Sequence, residues 1–151
     1  MSDSILKLIP VEPEFLPDQK AQERAGELLC LLFRDADDVT INTSEETAFV
    51  DQGENFESVH CPVCGAGLQM DWWADAMATA AKDGFFVLGV HLPCCNSMAS
   101  LNDLQYDWPA GFARFVIEVI NPGDDCVIDD QSKQLLESVL GCKLRVVKTH
   151  Y

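Results

Sequence analysis

The amino-acid sequence predicts an α+β fold in which helices cover one face of a sheet and a cysteine-bearing insert occupies the middle of the chain. Two observations carry this prediction. A strand–helix–strand pattern stands at each end, and between the two lie "HCPVCGAGL" (60–68) and "HLPCCNS" (91–97). A third sets the scale: at 151 residues, nearly half of them apolar, the chain has the length of one domain (1–151) and can bury a core without disulfide staples.

Taken in order, "ILKLIPVE" (5–12) alternates as a strand does and is stopped by Pro10, Pro13 and Pro17. After "PDQ" the spacing of Ala21, Ala25, Leu28, Leu29 and Leu32 predicts an amphipathic helix from Gln19 to Phe33. "DADD" (35–38) breaks it, and "VTIN" reads as a short strand. "TAFVDQ" (47–52) and "FESVHC" (56–61) read as a hairpin around "GEN". In the middle, "CPVCGAGL" precedes a helix, "QMDWWADAMATAAKDG", and a strand, "FFVLGVHL"; "PCCNSMASLNDL" then leads into a long strand pair through "YDWPAGFARF".

The last third repeats the grammar of the first. "ARFVIEVINP" (113–122) is a strand stopped by Pro122 and Gly123. Asp129 or Asp130 caps a helix with Leu135, Leu136 and Val139 as its buried stripe and Gly141 as its stop, and "KLRVVKTHY" closes the chain as a strand. "ELLCLLF" stands opposite "QLLESVL", as an internal duplication would place it. Two such βαβ units sharing one sheet, with both helices on one face, give a ferredoxin-like two-layer sheet-and-helix arrangement.

The formal charge is −15 and it is unevenly placed. Residues 1–60 carry 14 acids against 4 bases, residues 61–120 carry 6 against 2, and the last 31 carry 5 against 4. This field repels phosphate backbones, and no cluster of Lys and Arg compensates, so direct nucleic-acid or anionic-membrane binding is not expected. A basic protein is the partner such a surface favours, although acidic surfaces serve first for solubility. No apolar run reaches the roughly 20 residues of a membrane span, and "MSDSILKLIPVEPEF" lacks the parts of a secretory signal. A cytoplasmic protein of full length is expected.

In a reducing compartment seven cysteines are not a disulfide framework, and clustered ones point to metal. Cys30, Cys126 and Cys142 read as buried or inert thiols. C-P-V-C-G has the form of a zinc knuckle: two residues between the thiols let both sulfurs reach one metal, and Gly65 allows the turn its positive φ. A closed zinc site takes four ligands, and "PCC" is dense enough to supply the other two. Cys61, Cys64, Cys94 and Cys95 are therefore the candidate ligands of one Zn2+, within an insert spanning 59–104. His91 or His60 in place of one cysteine is the alternative set, and a metal-free chain is the third.

A thiol redox pair is the competing chemistry for C-P-V-C, but it requires a thiol at a helix N-terminus or beside a cation, and the next helix opens with Asp71. Catalytic zinc needs an open position and a base, yet the chain holds neither H-x-E nor H-E-x-x-H. No glycine-rich phosphate loop and no G-x-S-x-G is present.

"CPVCG" with "PCC" resembles a zinc ribbon, in which two cysteine turns clasp one zinc between hairpins. More loosely, residues 59–122, through "SLNDLQYDWPAGFARFVIEVINP", are similar to a group of uncharacterised bacterial zinc-ribbon-containing proteins. The resemblance implies structural zinc in a zinc-ribbon-like insert and binding to a macromolecule, often a nucleic acid, which the acidity of this chain opposes.

"SLNDLQYDWPAGFARF" (100–115) offers a second candidate site. Asn102, Asp103, Asp107 and Arg114 can converge on one face with Tyr106 and Trp108, joined by Trp72 or Trp73, as walls of a small ligand or partner cleft. The structural alternative makes the aromatics core residues, Asp103 a turn cap and Arg114 a partner of Asp107. The expected function is that of a non-enzymatic zinc-binding protein acting through protein–protein contacts in an accessory, inhibitor or immunity-type role. A zinc-dependent enzyme with an open metal site or a cleft at 102–114 is the second class, and a thiol redox protein the third.

Overall fold

A computed structural model describes residues 3–123 and 126–151, so Asp124 and Asp125 of the acidic loop lie outside the described residues. The protein is a mixed α+β structure. Its elements run β1 (Ser4–Pro10), α1 (Gln19–Leu32), β2 (Asp38–Val50), β3 (Val59–His60), α2 (Met70–Ala81), β4 (Gly89–His91), β5 (Met98–Ser100), a 3-10 turn (Leu101–Asp103), β6 (Gln105–Tyr106), β7 (Gly111–Ile120), α3 (Asp130–Leu140) and β8 (Leu144–His150).

β1, β2, β7 and β8 form one antiparallel sheet in the order β2-β7-β1-β8. α1 links β1 to β2 with β7 lying between them, and α3 links β7 to β8 with β1 between. Alternation decides what each strand buries. Leu6 and Leu8 of β1 and Phe115, Ile117 and Val119 of β7 meet Ala25 and Leu29 of α1 and Leu136 and Leu140 of α3 in one core. Each of the larger side chains among these (Leu, Ile, Val and Phe), fully buried, stabilises the fold by about 1.5–3 kcal/mol.

Both helices start on the side chain of an aspartate. Asp18 Oδ1 accepts the Ala21 N–H at 2.8 Å and Asp129 Oδ1 accepts the Ser132 N–H at 2.7 Å. α3 ends at Gly141, whose φ of 79° carries the left-handed stop. Two stripe positions differ from expectation. Leu32 and Leu135 are exposed, whereas Phe33, just past α1, and Leu140 pack into the core. Cys30 is exposed rather than buried, while Cys126 and Cys142 are half-buried.

The expected hairpin of 47–52 with 56–61 does not form. "TAFV" instead continues β2 along β7, beyond an irregularity between Thr43 and Ala48 where Arg114 Nε donates to Ser44 O at 3.0 Å. The chain then crosses to the free edge of β8, where Gly53 bridges His150. A Cβ on Gly53 would lie 2.3 Å from His150 O, so this crossing needs glycine. On the way Asp51 O and Tyr151 OH accept from Lys7 Nζ, which satisfies a lysine buried on the sheet. The expected strand "FFVLGVHL" shrinks to Gly89–His91: Phe85 turns through φ 57° onto Phe112, and Phe86 and Val87 are exposed.

The middle of the chain has its own core, with Val59, Cys61, Leu92, Leu101, Tyr106 and Phe112 at its centre. β7 belongs to both cores, since Phe112 enters this cluster and Phe115 the helix-covered one. Asn102 rivets the junction. Its Nδ2 donates to Val11 O at 3.0 Å, and its Oδ1 accepts from Phe112 N at 3.0 Å and from Arg145 Nη1 at 3.0 Å. Among the described residues, no helix is long and apolar enough to cross a membrane.

Candidate metal centre

Two hairpins carry the four clustered cysteines. In the first, β3 leads into a turn closed by Gly65 N to Cys61 O at 3.0 Å and Cys61 N to Ala66 O at 2.8 Å, with Gly65 at φ 79°. In the second, β4 leads into a turn closed by Asn96 N to Leu92 O at 2.9 Å and Leu92 N to Ser97 O at 2.8 Å, with Asn96 at φ 60°. The two hydrogen-bond rings are the same. Position by position, Cys61 matches Leu92, Pro62 matches Pro93, Val63 matches Cys94, Cys64 matches Cys95 and Gly65 matches Asn96. Asn tolerates the left-handed position that glycine fills in the first turn.

The second turn is thus a C-x-x-C backbone with its first thiol moved. Leu92 fills the buried position and Cys94 supplies a sulfur from the exposed shoulder that Val63 holds in the first turn. Adjacent cysteines work here because the bend sends both side chains to one point. Cys61 Sγ lies 3.8 Å from Cys95 Sγ and Cys64 Sγ 3.4 Å from Cys94 Sγ, and all four sulfurs lie within 4.8 Å of one another. Sulfurs bound tetrahedrally at about 2.3 Å from one ion stand roughly 3.8 Å apart. The four residues therefore fit a metal ion.

Electrostatics within the cluster are asymmetric. At Cys61 burial pushes the thiol up, but the N–H groups of Cys64 and Val63, both donating to Sγ at 3.3 Å, and the neighbouring thiols bring it down to about 6. At Cys94 desolvation acts with the bonds to Cys64, Cys61 and Cys95 and the charge of Cys61 to push the thiol up to about 12. Four thiolates this close repel one another, and a divalent cation removes that repulsion.

Neither candidate histidine joins the group. His60 Nδ1 is 3.8 Å from Asp107 Oδ2, and His91 is exposed on β4. Among the described residues, the cluster that can hold a metal is made of cysteines alone.

The residues of the 102–114 segment have separate surroundings. Asn102 is buried in the junction just described. Tyr106 is buried as well; its OH donates to Leu101 O at 2.7 Å and accepts from Trp73 Nε1 at 3.3 Å, and burial pushes it up to about 12. Asp103 is exposed at the end of the 3-10 turn, where its charge acts on Arg145. Asp107 accepts from Ser58 Oγ, and Arg114 reaches Ser44, so the two do not pair. Trp108 adopts φ 56° and lines a hollow with Lys148 and Thr149 of β8. Trp73 packs on Phe49 and Phe56 in the central core, whereas Trp72 faces two surface hollows.

Leu92 is the residue that reading the sequence missed. The signal was present, because "CPVCG" and "LPCCN" share Pro at the second position and a left-handed former at the fifth. Two facing cysteine turns on hairpins, set beside a four-stranded sheet, define a four-thiol centre able to hold a metal ion. Compared with known proteins, the chain matches no protein family, no curated protein and no solved structure.

Proposed function

We propose that the chain is a non-enzymatic cytoplasmic protein in which Cys61, Cys64, Cys94 and Cys95 bind one structural Zn2+ and which acts by binding another protein. The observation that carries the reading is the convergence of four sulfurs from two hydrogen-bonded turns. An all-sulfur set with no histidine suits Zn2+, and four thiolates leave no open position for substrate. The bound ion supplies cross-linking: it ties the 61–66 turn to the 92–97 turn and stiffens the insert 59–104.

The order β2-β7-β1-β8 supports a ferredoxin-like reading of the sheet, and the paired turns support a zinc-ribbon-like reading of the insert. A redox role is disfavoured, because a redox pair needs two thiols and leaves the convergence of all four sulfurs unexplained. Chelation under reducing conditions tests the structural role. Removing the metal is expected to shift Trp72 and Trp73 fluorescence and to expose the 59–104 amides to exchange, with the four-stranded sheet still protected. Metal removal that leaves both signals unchanged contradicts it.

A further inference from the structure

The site deepens the protein-binding reading above and rests on it. β4 and β5 form a two-stranded sheet, so among the described residues the outer edge of β4 is unpaired. Their ladder is flanked by hydrogen bonds from Leu92 N to Ser97 O and from Leu101 N to Leu88 O. Antiparallel pairs alternate between bonded and non-bonded, so Val90 and Ala99 exchange bonds while Gly89 and His91 turn their backbone groups outward. Both residues are exposed. This edge is one wall of a groove of about 290 Å³ whose other wall is α2.

The groove combines three features. Trp72, Ala76, Val87 and Val90 give it an apolar lining, and Asp75 and Asp83 add carboxylates. Trp72 also lines a second hollow of about 400 Å³, shared with Pro93 and Cys94 of the second cysteine turn. Carboxylates outnumber amines along this wall: α2 and the turn after it carry Asp71, Asp75 and Asp83 against Lys82. β4 is three residues long, so its edge offers a partner strand the backbone groups of two residues, and the apolar pockets beside it would supply the rest of the contact.

We propose that this groove receives an extended segment of a basic partner protein, which adds to β4 as a third strand. The segment bonds to the outward groups of Gly89 and His91, places an apolar side chain between Trp72 and Val87, and sets basic side chains against Asp75 and Asp83. Charge complementarity selects this occupant over an acidic or neutral strand.

The test uses the full zinc-loaded chain and a fluorescein-labelled decapeptide of alternating Lys and Val, with the alternating Glu and Val peptide as control. Saturable binding of the Lys peptide is expected, with amide exchange slowed at Gly89 and His91. Asp75→Asn with Asp83→Asn is expected to weaken binding about tenfold, and so to flatten its salt dependence. Gly89→Pro, which deletes an outward N–H, is expected to weaken it about fivefold or more. Equal binding of the Glu peptide, variants that bind as the wild type, or an edge-to-edge dimer of this chain in sedimentation would each overturn the proposal. Zinc is counted on every sample. No peptide binding with zinc in place defeats the groove alone, whereas groove-dependent binding without zinc supports the groove and defeats the metal reading.

Discussion

Leu92 stands in the second cysteine turn where Cys61 stands in the first. Both are buried, both begin a ring closed by the N–H of the residue four positions on, and both precede a proline. The thiol expected at position 92 is displaced to Cys94, which explains why two cysteines are adjacent. The displacement also removes the sulfur that would accept the second turn's N–H groups, as Cys61 Sγ accepts those of Val63 and Cys64 in the first. Among the described residues, backbone N–H groups bond a cysteine sulfur in the first turn and not in the second.

This equivalence can be tested by moving the sulfur back. Leu92→Cys combined with Cys94→Val recreates C-x-x-C in the second turn. The double variant is expected to keep one metal per chain with four sulfur neighbours, and to lose about 2 kcal/mol of stability from the smaller core side chain. Cys94→Val alone is expected to weaken metal affinity about 100-fold or more, because three thiolates leave the set open. Competition against a chromogenic chelator measures both.

Asn102 joins the insert to the sheet, a structural task at a position the sequence offers as a ligand contact. Asn102→Ala removes the acceptor of Phe112 N and Arg145 Nη1 and the donor to Val11 O. Stability is expected to fall by about 2–3 kcal/mol in urea unfolding, since the groups left behind are buried. Arg114→Ala, which breaks one exposed bond to Ser44 O, is expected to cost under about 1 kcal/mol.

Tyr106 sets an alkaline limit. Burial raises its hydroxyl from 10.0 to about 12. Between these values the unfolded chain has lost the proton and the folded chain has kept it, so stability falls as pH rises through that window. The loss is about 2 kcal/mol by its upper end. Tyr106→Phe is expected to flatten this limb while lowering stability near neutral pH by about 1 kcal/mol for the lost bond to Leu101 O. Urea unfolding of both proteins across the window gives the comparison.

Local signals carried much of this structure. The periodicity of β1, α1, β7, α3 and β8 could be read directly, as could the stop at Gly141 and a cap at Asp129 or Asp130, of which the structure uses Asp129, because each depends on neighbours a few residues away. The four cysteines could be read from density and spacing. What failed was non-local. The "TAFV" end of β2 pairs with β7 over sixty residues later, and nothing near "GEN" reports that partner. Phe86 and Val87 look like strand residues, but the turn at Phe85 that drops its ring onto Phe112 leaves them exposed. Asn102 and Tyr106 looked available for ligands because sequence does not show that their polar atoms are already taken.

The central claim is that four thiolates close around one metal ion. X-ray absorption at the zinc edge, with elemental analysis, on protein purified without added metal is the direct measurement. The account predicts one zinc per chain with four sulfur neighbours at about 2.3 Å, unchanged in His91→Ala and in His60→Ala. A nitrogen or oxygen in the first shell, or a chain that carries no metal, would contradict it.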